Sequence, residues 1–187
     1  MRTRSLIGII ISSAFFAVSC GLPRDMRSTD PVVRSWRGPQ VWQNDINAFV
    51  TMDKAGFPPA NAVLFMGSSS VRMWDLKKYF PDLPTINRGF GGSYISDSAN
   101  YADTIAAPYK PRLIVIYAGD NDITDGKPPA RVAGDFTYFL GAVRTKLPQV
   151  PVIYISIKPS PARWQLWPKM QEANERIKKR SEEHTSE

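Results

Sequence analysis

Three short stretches carry residue types that could perform acyl transfer. Residues 67–70 read Gly-Ser-Ser-Ser, residues 89–93 read Gly-Phe-Gly-Gly-Ser, and residues 119–122 read Gly-Asp-Asn-Asp. Acyl transfer by serine needs a nucleophilic hydroxyl, donors aimed at the oxygen that becomes negative, and a base held by an orienting carboxylate. The first stretch offers hydroxyls at Ser68, Ser69 and Ser70. The second offers backbone N–H groups with no side chain in the way, which glycine permits. The third offers Asn121, whose amide can donate to a developing negative oxygen. The first stretch is not a G-x-S-x-G elbow, because the fifth residue from Gly67 is Val71. An ordinary α/β-hydrolase is therefore disfavoured. Plainer readings stand beside these: serines after a strand often cap helices, and Gly89 and Gly91 suit a turn. The Asp120-x-Asp122 pair is a common turn composition that does not by itself call for a metal.

Each stretch follows an apolar run. Ala62 to Met66, Thr85 to Asn87 and Arg112 to Tyr117 read as strands, and Val152 to Ile157 as a further one. Unbroken apolar runs of this length suit strands buried on both faces. Between them lie helical patterns. One starts near Pro39 and carries Val41, Trp42, Ile46, Phe49 and Val50; Gly56-Phe57-Pro58-Pro59 ends it. Residues 70–80 and 96–107 can be helical. Pro128 to Leu147 places Val132, Phe136, Phe139, Leu140, Val143 and Leu147 on one face, and a last helix runs from Trp164 or Pro168 to Lys179. Residues 119–126 read as a polar loop. Short apolar strands alternating with amphipathic helices imply an α/β fold with a parallel sheet and helices on both faces. In such sheets ligands bind beyond the carboxyl ends of the strands, which would bring the three stretches together. The expected order puts Val63 to Met66 beside Arg112 to Tyr117. Trp36, Trp42, Trp164 and Trp167 read as core or rim packing rather than as platforms for a sugar ring.

Taken together, the stretches resemble the first three motif blocks of the SGNH hydrolases, the GDSL-like esterases. Phe65-Met66-Gly67-Ser68-Ser69 is similar to the hydrophobic-x-G-D-S block, with Ser68 where aspartate is commoner. Asn87-Arg88-Gly89-Phe90-Gly91-Gly92 is similar to N-x-G-x-x-G, and Gly119-Asp120-Asn121-Asp122 to G-x-N-D. The resemblance covers about residues 40–178. It implies a flavodoxin-like three-layer α/β/α fold, with Ser69 as the nucleophile. It also implies an oxyanion hole built from the Ser69 N–H, the Gly92 N–H and the Asn121 side chain. No cofactor and no metal are implied.

The family's base comes from an Asp-x-x-His block after a later strand. Here the one histidine is His184, and the position three before it is Ser181. The chain is therefore expected to be truncated before that block, lacking a C-terminal strand and helix, with residues 180–187 a non-native tail. At the other end, Arg2 and Arg4 precede an apolar stretch from Leu6 to Phe16 and small residues before Cys20, the only cysteine. This resembles a bacterial lipoprotein signal over residues 1–19, with Cys20 lipidated, a tether over 20–38 and the hydrolase-like domain over 39–179. The net charge is +7, and with Arg2 and Arg4 removed the mature chain would carry 7 − 2 = +5, which suits an anionic membrane surface or envelope polymer. Outside the last turn of the chain, no basic run interleaved with aromatics points to nucleic acid. The leading expectation is an exported, lipid-anchored envelope esterase, with outer-membrane sorting, acting on small acyl esters or an acylated glycan. The alternative is a non-catalytic envelope binding module on the same fold.

Overall fold

A computed structural model describes residues 38–183. Among these residues, four parallel strands, β1 (Val63–Gly67), β2 (Thr85–Gly89), β3 (Leu113–Tyr117) and β4 (Val152–Tyr154), form one sheet in the order β2-β1-β3-β4. β1 lies beside β3 as expected, with Leu64 opposite Ile114. Side chains alternate along a strand, so each apolar run feeds two cores. Leu64, Met66, Ile114 and Ile116 face one side, and Val63, Phe65, Val115 and Tyr117 the other.

Among the described residues, eight α-helices surround the sheet: α1 (Gln43–Ala55), α2 (Ser69–Arg72), α3 (Leu76–Tyr79), α4 (Ile95–Asn100), α5 (Ala102–Ile105), α6 (Asp120–Thr124), α7 (Pro129–Lys146) and α8 (Trp167–Glu183). The larger core takes Ile46 from α1, Ile95 from α4, Ile105 from α5, Phe139 from α7 and Met170 from α8. The smaller core takes Val71 from α2 and Leu76 from α3. The result is a three-layer α/β/α arrangement with a parallel sheet, the fold class read from the sequence.

Several elements differ in detail from expectation, each for a local reason. Residues 70–80 form two short helices because the Asp75 carboxylate accepts the Lys78 N–H at 3.1 Å and starts a new helix there. The 96–107 helix divides at Tyr101 and gives way to a 3₁₀ turn containing Pro108. β2 runs on to Gly89. The polar loop 119–126 contains α6, in which the Asp125 N–H closes on the Asn121 carbonyl at 2.9 Å. The strand expected over 152–157 stops at Tyr154. Beyond it, the Ile157 N–H and C=O both turn to the Asn174 side chain of α8, at 2.8 and 2.9 Å. Ile153 is 38% exposed rather than buried, because β4 is paired on one side only among the described residues. α8 continues to Glu183, past Lys179.

Candidate active site

β1, β2 and β3 end at one level, with Gly67 opposite both Gly89 and Tyr117. Their loops therefore leave the sheet side by side at its carboxyl edge. Gly67 turns the first loop. Its φ is +129°, and a Cβ there would stand 2.0 Å from the Tyr117 carbonyl oxygen, so no larger residue fits. The turn lets the Ser68 N–H donate to that carbonyl at 3.0 Å, and the Ser68 carbonyl then accepts from Val71 and Arg72 to start α2. Ser68 is buried, and its hydroxyl has no hydrogen-bond partner among the described residues. Ser69 is the first residue of α2 and is half-buried, as is Ser70.

α2 is seated directly on β2. A Cβ at Gly89 would come within 2.3 Å of the Arg72 nitrogen, so only glycine allows this approach. Asn87 locks the contact: its Nδ2 donates to the Val71 carbonyl at 2.7 Å and its Oδ1 accepts the Gly89 N–H at 2.9 Å. Asn87 thus holds the helix that carries Ser69, a role the sequence reading did not give it.

The three loops are joined by hydrogen bonds. The Phe90 N–H donates to the Gly67 carbonyl at 2.9 Å, and the Ser93 hydroxyl shares its one hydrogen between the Phe90 carbonyl at 3.0 Å and the Gly67 carbonyl at 3.3 Å. Asn121 Nδ2 in turn donates to the Ser93 carbonyl at 3.1 Å. Gly92 lies in the turn between these bonds, half-buried, with φ +76°. Neither the Ser69 nor the Gly92 N–H donates to another described residue. Asn121 is 8% exposed. The structure therefore gathers Ser69, Gly92 and Asn121 at one edge, as the order of their loops implied.

Two features around Asn121 escaped the sequence reading. Arg163, in the 3₁₀ segment Pro161–Leu166 that precedes α8, donates from Nη1 to Asp120 Oδ2 at 2.8 Å and from Nη2 to Asn121 Oδ1 at 3.2 Å. Below, Asp122 is fully buried. It accepts from Lys127 Nζ at 2.7 Å and from the Ile95 N–H at 3.3 Å. The same ammonium donates to Asp135 at 2.8 Å and lies 4.2 Å from the Tyr94 ring centre, while Arg131 closes on Asp135 at 2.7 Å. This buried ion cluster ties α6 to α4 and α7, beneath the loops. Burial raises the Asp122 carboxyl to about 6, against the lowering pull of Lys127. Burial likewise pushes the Tyr117 phenol to about 12, so it keeps its proton at neutral pH. The only sequence signal for the cluster was Lys127 five residues after Asp122.

Of the tryptophans, Trp42 is buried and donates to Asp97 at 2.9 Å, Trp167 packs against the core, and Trp164 is 62% exposed. Trp36, Cys20, the signal segment, the tether up to residue 37 and His184 lie outside the described residues.

A family model for the GDSL-like lipase/acylhydrolase family matches residues 66–186. No curated protein matches the chain. Among solved structures, a GDSL-like lipase from Bacteroides thetaiotaomicron VPI-5482 is 22% identical, with a TM-score of 0.64 over 74% of this chain and 73% of its own. A member of the lipolytic protein G-D-S-L family from Veillonella parvula DSM 2008 is 20% identical, with a TM-score of 0.54 over 65% of this chain and 73% of its own. A variant of an acetyl-xylooligosaccharide esterase from Geobacillus Stearmophilus is 12% identical, with a TM-score of 0.52 over 67% and 74%. At these identities the likeness is one of fold.

Proposed function

Since the chain belongs to the GDSL-like lipase/acylhydrolase family, we propose that it is a serine esterase that cleaves O-acyl esters through Ser69. In this reading a general base takes the Ser69 proton and the alkoxide attacks the ester carbonyl carbon. The carbonyl electrons move onto oxygen, and that oxyanion is held by the N–H groups of Ser69 and Gly92 and by the Asn121 amide. Collapse breaks the ester C–O bond, and the leaving oxygen takes the proton from the protonated base to depart as the alcohol. Water, giving a proton to the same base, then attacks the acyl-enzyme, and Ser69 regains its proton as the acid leaves. The base is not assigned to a described residue, none of which is histidine.

The observation that supports this reading is the pair of hydrogen bonds that couples all three loops around the start of α2, from the Phe90 N–H to the Gly67 carbonyl and from Asn121 Nδ2 to the Ser93 carbonyl. A short acyl group on a glycan is the proposed substrate, in keeping with short loops and with the acetyl-ester chemistry named for the Geobacillus neighbour. The proposed location is the bacterial envelope, by export and lipidation at Cys20, with the outer membrane as the expected destination.

Hydrolysis of p-nitrophenyl acetate by the full-length protein tests the catalytic reading. Ser69→Ala should lower kcat by about a thousandfold or more, while Ser70→Ala should stay within about threefold of wild type. Turnover that survives Ser69→Ala would remove the nucleophile assignment. A wild-type protein that binds acetylated oligosaccharide without turning it over would instead be the binding module.

A further inference from the structure

We propose that Arg163 is a positioning residue that sets the orientation of the Asn121 amide and strengthens it as a donor; the inference rests on the oxyanion role proposed for Asn121. An asparagine side chain has a donor end and an acceptor end of nearly the same shape. Only one orientation serves an oxyanion. With the amide reversed, its carbonyl oxygen would face the negative oxygen and repel it. The side chain therefore needs neighbours that tell its two ends apart.

Two neighbours do so, from opposite sides. The Ser93 carbonyl is an acceptor only, and it takes a hydrogen from Asn121 Nδ2 at 3.1 Å. The Arg163 guanidinium is a donor only, and its Nη2 meets Asn121 Oδ1 at 3.2 Å. Reversal would set oxygen against oxygen at Ser93 and N–H against N–H at Arg163. One Nδ2 hydrogen is used on Ser93, which leaves the second for a ligand.

Arg163 is itself held. Its Nη1 donates to Asp120 Oδ2 at 2.8 Å, in an ion pair whose side chains are 31% and 17% exposed. The guanidinium thus grips two consecutive residues of α6 in a fork that a lysine ammonium would not reproduce. A cation on the carbonyl end also draws electron density from the amide nitrogen, which makes the remaining N–H a better donor, as hydrogen bonds in chains strengthen one another. Asp120 gains a function by the same geometry: it anchors the arginine, and it is not required to touch the substrate.

The test is a double-mutant cycle on the full-length protein, read together with the Asn121 side-chain NH₂ signals in a ¹⁵N-labelled sample. Arg163→Met should shift both of those signals, which are identified by their loss in Asn121→Ala. It should also lower kcat on p-nitrophenyl acetate by about tenfold or more with KM within about threefold, the pattern of a lost transition-state contact. On an Asn121→Ala background, the same substitution should cost less than about twofold, because the two residues act as one unit. Equal losses of kcat in both backgrounds, or unmoved Asn121 signals, would overturn the proposal. If Asn121→Ala alone kept full kcat while Arg163→Met still moved the signals, the positioning contact would stand and the oxyanion role of Asn121 would fall.

Discussion

Asp122 shares a helical turn with Asn121 but does the opposite job. It is fully buried, and its oxygens are taken by Lys127 Nζ and the Ile95 N–H. Its carboxyl is raised from 3.8 to about 6, chiefly by burial. The folded chain therefore holds this proton more tightly than the unfolded chain. Stability from the group is fully present below about 4 and is lost as pH rises through about 6. Asp122→Asn removes the titration and keeps the shape. Thermal or urea unfolding of both proteins should show the variant gaining on wild type between pH 4 and 6, by on the order of 2 to 3 kcal/mol, then holding level above pH 7. A difference that does not change with pH would mean that Asp122 ionises in the folded protein as it does in the unfolded one.

At the scale of elements, the edge of the sheet is set by the helix α8, which starts at Trp167, well beyond the last strand. β4 ends at Tyr154, and the Asn174 side chain takes both the N–H and the C=O of Ile157. That clasp fixes where the segment from Lys158 to Leu166 leaves the sheet, and with it the approach of Arg163 to α6. Asn174→Leu keeps the size of the side chain and strands both backbone groups of a buried residue. It should lower the urea midpoint by the equivalent of about 2 to 4 kcal/mol with the slope unchanged. A midpoint equal to wild type would show that water replaces the clasp at no cost. The same logic applies between α2 and β2, where Asn87 and the bare Gly89 backbone hold Ser69's helix against the sheet.

For the whole molecule, the proposed anchor at Cys20 would determine which substrates the site meets, since a tethered esterase works on esters within reach of its membrane. Without Arg2 and Arg4 of the signal segment, the net charge of +7 becomes 7 − 2 = +5, which is consistent with an anionic surface as that neighbour. Cells grown with a clickable fatty-acid analogue should label the wild-type protein, and Cys20→Ser should lose nearly all of the label. Equal labelling of the two would place the lipid, and the anchor, elsewhere.

The apolar runs at 63–66 and 112–117 made the central strands legible, because a strand buried on both faces has little choice of residue. The 3.6-residue period did the same for α7. That the loops carrying Gly67, Gly92 and Asn121 leave one edge of the sheet was legible because each follows an apolar run of a parallel sheet. The tertiary structure alone decided the rest. Residues 119–126 read as loop because a five-residue helix gives too few turns to establish a period. The early end of β4 depends on Asn174, and the setting of Asn121 depends on Arg163, 42 residues away in sequence. The position of α2 depends on Asn87 and Gly89, which lie in the next strand. A residue type and its spacing announce what chemistry a segment could do. Which polar group meets which across the fold is settled only when distant elements pack, because a hydrogen bond between them has no local pattern in the chain.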